Sequence, residues 1–298
     1  MTRLTSLLAL PVVALCLACG TATPALAADA QADAIRKLST EKSPALVTIK
    51  FILKGEEGDG GMGGDSEQEA SGVVIDGSGL ILVSNLEMGG NPFSGMMGMG
   101  AGPQPQEIKV LAGDDTQGVD AKLIARDSEL HLAWVRVDKA PEKPFAAIDL
   151  NASAAAAQGD ELFIVSRMGK FFDRAVTVNN FRVSGTTTKP RKAMLGGQIL
   201  MTSMGLPVYN ADGKIIGISS IILPNQDEME GMAGGGMRGM QEMIAGAIIP
   251  AADIVEATKT ALENAAKAPA EEPKTDEAKT DEAKTEETKP ETETKKPE

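Results

Sequence analysis

A succession of short β-branched and aliphatic runs, each closed by Gly, Asp, Asn or Pro, constrains this chain more than any other feature. The runs cover residues 47–53, 71–75, 80–83, 107–111, 121–125, 132–137, 161–166, 175–183, 208–209, 215–222 and 246–250. Residues 47–53 alternate in the two-residue period of a strand. Residues 71–75 and 80–83 flank the turn Asp76-Gly77-Ser78-Gly79, which predicts a hairpin. Many short strands at regular spacing specify an all-β barrel architecture. Helical patterning is confined to two places. Residues 28–43 read as a short amphipathic lead-in with Ile35 and Leu38 three apart, and residues 253–266 as a closing helix. Beyond Pro269 a Lys-Thr-Asp-Glu-Ala repeat lacks the large apolar residues needed to offset ordering, which predicts a disordered tail.

Length and charge narrow the field. A chain of 298 residues has ample material for a two-barrel core, and with only 3% aromatic residues that core must be built from Val, Ile, Leu and Ala. The net charge of −13 argues against nucleic acid or an anionic membrane surface as a partner. The tail contributes to it, with 11 acids against 6 lysines in residues 271–298. Residues 1–27 have the form of an export signal: Arg3, an apolar run over residues 7–17, and Ala25-Leu26-Ala27 before the cleavage point. Pro11 interrupts the run, which is shorter than the roughly 20 residues a membrane span needs, so no integral span is expected in the mature chain. The sequence therefore predicts a periplasmic or secreted protein. Leu17-Ala18-Cys19-Gly20 is similar to a lipoprotein cleavage box, which leaves anchoring through Cys19 as the alternative. Cleavage after Ala27 removes Cys16 and Cys19, and with them any disulfide, thiol or cysteine–metal chemistry.

The most specific wording lies in residues 202–220. Gly205 and Pro207 form a tight bend, Val208 and Tyr209 a short strand, residues 210–213 a turn, and residues 215–222 a buried strand. This stretch resembles the nucleophile loop of the HtrA-like (Deg-type) trypsin-like serine proteases, Gly-Asn-Ser-Gly-Gly-Pro-Leu-Val-Asn followed by a glycine turn and an Ile-Gly-Ile strand. Four further stretches extend the resemblance in order. Residues 71–76 with 79–82 are similar to the family's first strand pair, and residues 127–137 to its Asp-x-x-x-Asp-Leu-Ala-Val-Leu-Lys-Val segment. Residues 159–165 match the first strand of its second barrel, and residues 246–250 its closing segment. The resemblance covers about 210 positions, residues 43–255. It implies a chymotrypsin/trypsin-like double β-barrel, two packed six-stranded barrels with a cleft between them, followed by the short helix and acidic tail. The domain plan is a signal at 1–27, an N-terminal barrel at 28–150, a C-terminal barrel and helix at 151–266, and a tail at 267–298. The family's peptide-binding PDZ domain is not expected in the 32 residues that follow Ala266, which read as disordered.

Laid on this pattern, every catalytic slot is substituted. Met204 takes the place of the nucleophilic serine, and a thioether has no proton to give up. The base position is Leu86 or, with a one-residue insertion, Glu87. His131, the single histidine, takes the slot of the orienting aspartate. It is expected as a half-buried residue donating to a backbone carbonyl, too far to touch the nucleophile position; a rebuilt set of Glu87, Ser203 and His131 is the alternative. Residual groove and oxyanion positions are Thr202, Ser203, Met204 and Gly205, with donors at the N–H groups of Met204 and Thr202. Thr202 and Leu206 replace family glycines, which restricts the bend and predicts a collapsed hole. Met204, Leu86 and Leu206 together predict an apolar groove able to hold a protein segment or extended peptide without cleaving it.

Gly-rich loops carry Met62, Met96, Met97, Met99, Met229, Met232, Met237, Met240 and Met243. Thioethers suit Cu(I), and Met229, Met232, Met237, Met240 and Met243 include Met-x-x-Met spacings. Adaptable apolar docking and low-complexity drift explain the same residues. Three functions follow: an inactive peptidase homologue that binds protein without a cofactor, a serine endopeptidase of protein quality control, and a Cu(I) binder. Oligomeric state is left open.

Overall fold

The computed structural model describes residues 24–54, 65–91, 102–223 and 244–267. After the helix α1 (Pro24–Lys42) and a 3-10 turn at Ser43–Ala45, six strands follow: β1 (Leu46–Leu53), β2 (Ser66–Asp76), β3 (Leu80–Ser84), β4 (Pro105–Ala112), β5 (Val119–Asp127) and β6 (Leu132–Val137). They close into an antiparallel barrel in the order β1-β2-β3-β6-β5-β4, with β1 bonded to β4 to complete the ring. Strand chemistry explains the closure. Alternate residues Val47, Ile49 and Phe51 of β1 join Val74, Ile81, Val83, Val110 and Val135 in one buried cluster. The interleaved set, Leu46, Val73, Leu82, Leu132 and Trp134, belongs to a second cluster shared with the rest of the molecule. Both faces of β3 are buried, which is why it reads as an unbroken apolar run.

The second half comprises β7 (Glu161–Arg167), β8 (Val176–Arg182), β9 (Gly185–Thr187), β10 (Ala193–Leu195), a helical turn α2 (Ile199–Thr202), β11 (Pro207–Tyr209), β12 (Ile215–Ile222), β13 (Ala245–Pro250) and the helix α3 (Ala251–Lys267). Its strands form a seven-stranded sheet in the order β8-β7-β11-β12-β13-β10-β9. This corrects the expectation of a second six-stranded barrel: β8 and β9 end the sheet without pairing to each other. The strands β9 and β10 are three residues each, too short to be read in advance. The hairpin β11–β12 and the strand β13 lie where the sequence predicts them.

Each terminal helix packs across the molecule. Leu38 and Ala34 of α1 are buried in the second half's cluster, and Gln31 donates to Glu161 at 3.0 Å while Lys37 reaches the Asp212 carbonyl at 3.1 Å. The amphipathic lead-in expected at residues 28–43 is thus a full helix beginning at Pro24. At the other end Trp134 Nε1 of β6 donates to Thr258 Oγ1 of α3 at 3.0 Å. No helix among the described residues is long and apolar enough to cross a membrane. The tail from residue 268 and the methionines of the Gly-rich loops, including Met229, Met232, Met237, Met240 and Met243, lie outside the described residues.

Candidate functional site

Ser219 of β12 fixes the bend that carries Met204. Its carbonyl accepts the Gly205 N–H at 2.8 Å, and its N–H donates to the Leu206 carbonyl at 2.9 Å. Its hydroxyl donates to the Ser203 carbonyl and accepts the Leu206 N–H at 3.1 Å. Gly205 sits at φ +77, and a Cβ there would lie 2.4 Å from the Ser84 nitrogen. The bend is thereby pressed against the end of β3. Before it, α2 winds one helical turn, and the Thr202 N–H donates back to the Gln198 carbonyl at 3.3 Å. One of the two N–H groups expected as oxyanion donors is therefore engaged within the protein. The other, the Met204 N–H, has no partner among the described residues.

Where β3 ends, the backbone turns tightly. Gly90 N–H donates to the Asn85 carbonyl at 2.8 Å, Asn85 N–H to the His131 carbonyl at 2.9 Å, and Arg126 Nη2 holds the Met88 carbonyl at 2.9 Å. Met88 is fully buried and anchors the turn. Glu87 projects from this turn into a cleft and accepts the Ser71 N–H at 3.3 Å. Burial raises its carboxyl from 4.5 to about 7, and the Ser71 hydrogen bond opposes that rise. Leu86, on the same turn, does not line the cleft.

His131 lies in the turn between β5 and β6. It is buried at 5% exposure, in the left-handed region at φ +53, and its Nδ1 has no partner. Burial lowers its pKa, nearby Asp127 opposes this, and Arg191 adds to it, so the ring is neutral at pH 7. The expected half-buried imidazole donating to a backbone carbonyl is corrected: the ring makes no hydrogen bond among the described residues. Its role in the fold runs through its backbone carbonyl.

The cleft has a volume of about 270 Å³ and is lined by Ser71, Glu87, Arg167, Asn179, Thr202 and Ser203 with other residues of β7, β8 and the bend. The apolar groove expected from Met204, Leu86 and Leu206 is also corrected. Leu206 lines the cleft, but Met204 and Leu86 do not, and most of the lining residues are polar. Ser203 faces the cleft because it sits one residue before Met204 in the bend, where successive side chains diverge. No hydrogen bond joins Ser203 to Glu87 among the described residues. The sequence reading missed Ser71, Ser166, Arg167, Thr177 and Asn179. A signal existed in Thr177 and Asn179, two apart on β8, with Ser166 opposite Thr177 and bonded to it at 2.7 Å. A separate cavity of about 380 Å³, lined by Lys42, Tyr209 and Lys214, shares no residue with this one.

Glu87 supplies a test of this geometry. Below its unfolded value near 4.5 the carboxyl is protonated in both states and carries no penalty. As pH rises from 4.5 through about 7, the unfolded state releases a proton the folded state keeps, so stability falls. Glu87→Gln should match the parent near pH 4.5 and exceed it by on the order of 2 kcal/mol at pH 8. Urea unfolding of both proteins at the two pH values measures this, and a constant difference would place Glu87 in water.

The trypsin-like peptidase domain family matches residues 70–218. Among solved structures, the protease domain of MamO from Magnetospirillum magneticum in its apo form is similar at 16% identity, covering 73% of this chain and 97% of that chain with a TM-score of 0.44. A comparison with curated proteins finds no match.

Proposed function

Because the chain belongs to the trypsin-like peptidase domain family, we propose that it is a catalytically inactive, HtrA-like member that is exported and binds protein or extended peptide. The observation that carries this reading is the absence of any nucleophile–base contact among the described residues. Met204 holds the nucleophile slot, and the single histidine is buried with its Nδ1 lacking a partner among the described residues. A serine hydrolase needs a hydroxyl bonded to a base that a third group orients. The engaged Thr202 N–H removes half of the oxyanion hole as well.

A binding role draws support from the rim of the cleft. Met168 lines it and is exposed, and beyond it Phe171 and Phe172 are 92% and 55% exposed, with rings edge-to-face at 5.0 Å. Large aromatic groups held in water beside a polar groove suit a protein partner. Export rests on Arg3, the apolar run of residues 7–17 and Ala27. The reading keeps the domain division at residue 150, with support from the change of sheet between β6 and β7.

The rival reading, a serine endopeptidase, is favoured by one observation: Ser203 and Glu87 line the same cleft, and Glu87 titrates in the range of a general base. A serine-directed fluorophosphonate separates the two. The exported protein should show no labelling above that of its Ser203→Ala variant. Stoichiometric labelling lost on that substitution would overturn the inactive reading.

A further inference from the structure

Arg167 closes β7 with its guanidinium at the wall of the cleft. Its Nη1 makes a single long bond to the Arg174 carbonyl at 3.4 Å, and its Nε is buried without a partner. No carboxylate lies within ion-pair reach of it among the described residues, whereas neighbouring Arg174 binds Glu69 at 2.6 Å. Glu87, the one acid in the lining, does not meet it: the causes of Glu87's shift are burial and the Ser71 N–H, with no contribution from an arginine. A partly desolvated guanidinium without a counter-charge is unusual in a protein of net charge −13. Around it the cleft offers further donors, the Asn179 amide and the hydroxyls of Ser71 and Ser203.

We propose that this cleft captures a peptide carboxylate, with Arg167 as its charged anchor and Asn179 and Ser203 as supporting donors. The proposal rests on reading the cleft as a binding groove. A guanidinium fork matches a carboxylate in two parallel hydrogen bonds, and partial burial strengthens them. The volume of about 270 Å³ holds one or two residues, so the carboxylate enters as the end or side chain of a segment whose remainder passes over Met168. The shared chemistry comes from two sources, the free carboxyl terminus of a peptide or an Asp or Glu side chain.

The test is a titration of the full exported protein with N-acetylglycine and with N-acetylaspartate α-amide, whose side-chain carboxyl is free, each beside its fully amidated, uncharged counterpart, following the Arg167 Nε–H and the Ser203 amide by NMR. It is run at about pH 6, where Glu87 keeps its proton. Saturable shifts at both positions with an acid, absent with its amide, are expected at millimolar affinity. The stronger of the two acids identifies the source. Arg167→Gln should weaken binding at least tenfold, while Arg167→Lys retains part of it because the charge survives without the fork. Equal shifts with acid and amide, or none up to the solubility limit, overturn the proposal. So does full affinity in Arg167→Gln, provided its spectrum is otherwise that of the folded parent. These outcomes are independent of fluorophosphonate labelling. A labelled Ser203 would end the inactive reading and leave carboxylate capture standing, and a failed titration would do the reverse.

Discussion

Replacing Gly205 by alanine is expected to lower the free energy of unfolding by roughly 3 kcal/mol or more. Two effects add. The residue sits at φ +77, where a side chain strains the backbone by about 1 kcal/mol. Its new Cβ would also fall 2.4 Å from the Ser84 nitrogen and 2.9 Å from the Val83 carbonyl carbon. Neither atom can retreat, because Val83 is paired with Gly72 on one side and Ala133 on the other. The bend cannot retreat either, since Ser219 holds it through four hydrogen bonds. Gly159 provides the control. At φ +93, with no atom within 4 Å of an added Cβ, its alanine variant feels the backbone strain alone and should lose about 1 kcal/mol. Urea unfolding followed through the fluorescence of the single tryptophan compares the two. Equal losses would show that the bend does not press on β3 and would remove the argument that it is locked there.

Much of this arrangement could be read from residue order. The alternation in residues 47–53, the Asp76–Gly79 turn and the hairpin after Pro207 each follow from local chemistry, and each stands where it was expected. The cleft was less legible for a definite physical reason. Met204 and Leu86 are apolar by composition, but which side of a bend or turn a residue faces depends on bonds made far along the sequence. Ser219, fifteen residues after Met204, turns Ser203 toward the cleft, and Ser71 draws Glu87 into it. Arg167 lies at a strand end with nothing in its neighbours to mark it. The second sheet failed for another reason: β9 and β10 are three residues each, too short to show a strand period, and are set by pairing to β13 and to one another.

Trp134→Ala is expected to destabilise the protein by roughly 4 kcal/mol, the largest loss from any single side chain here. Trp134 is 1% exposed and stands in the cluster that joins the first barrel to the second sheet and to both terminal helices. On β6 it lies between Leu82 of β3 and Ala125 of β5, so neighbouring strands keep the vacated space open. The ring accounts for most of that loss. Thr258 is only partly buried, and its hydroxyl can turn to water when Nε1 is removed, so the hydrogen bond contributes about 1 kcal/mol. Trp134→Phe and Thr258→Val should therefore each lose far less than Trp134→Ala. Their double variant should show a coupling of about 1 kcal/mol, followed by circular dichroism because the fluorophore is gone. If Trp134→Ala unfolds within about 1 kcal/mol of the parent, α3 is not seated on the barrel through this ring. If instead the loss is large and the coupling is zero, packing alone holds the helix and the Thr258 contact is incidental. The two results divide the closure of the fold between apolar area and one polar bond, because β6 and α3 meet at no other side-chain hydrogen bond among the described residues.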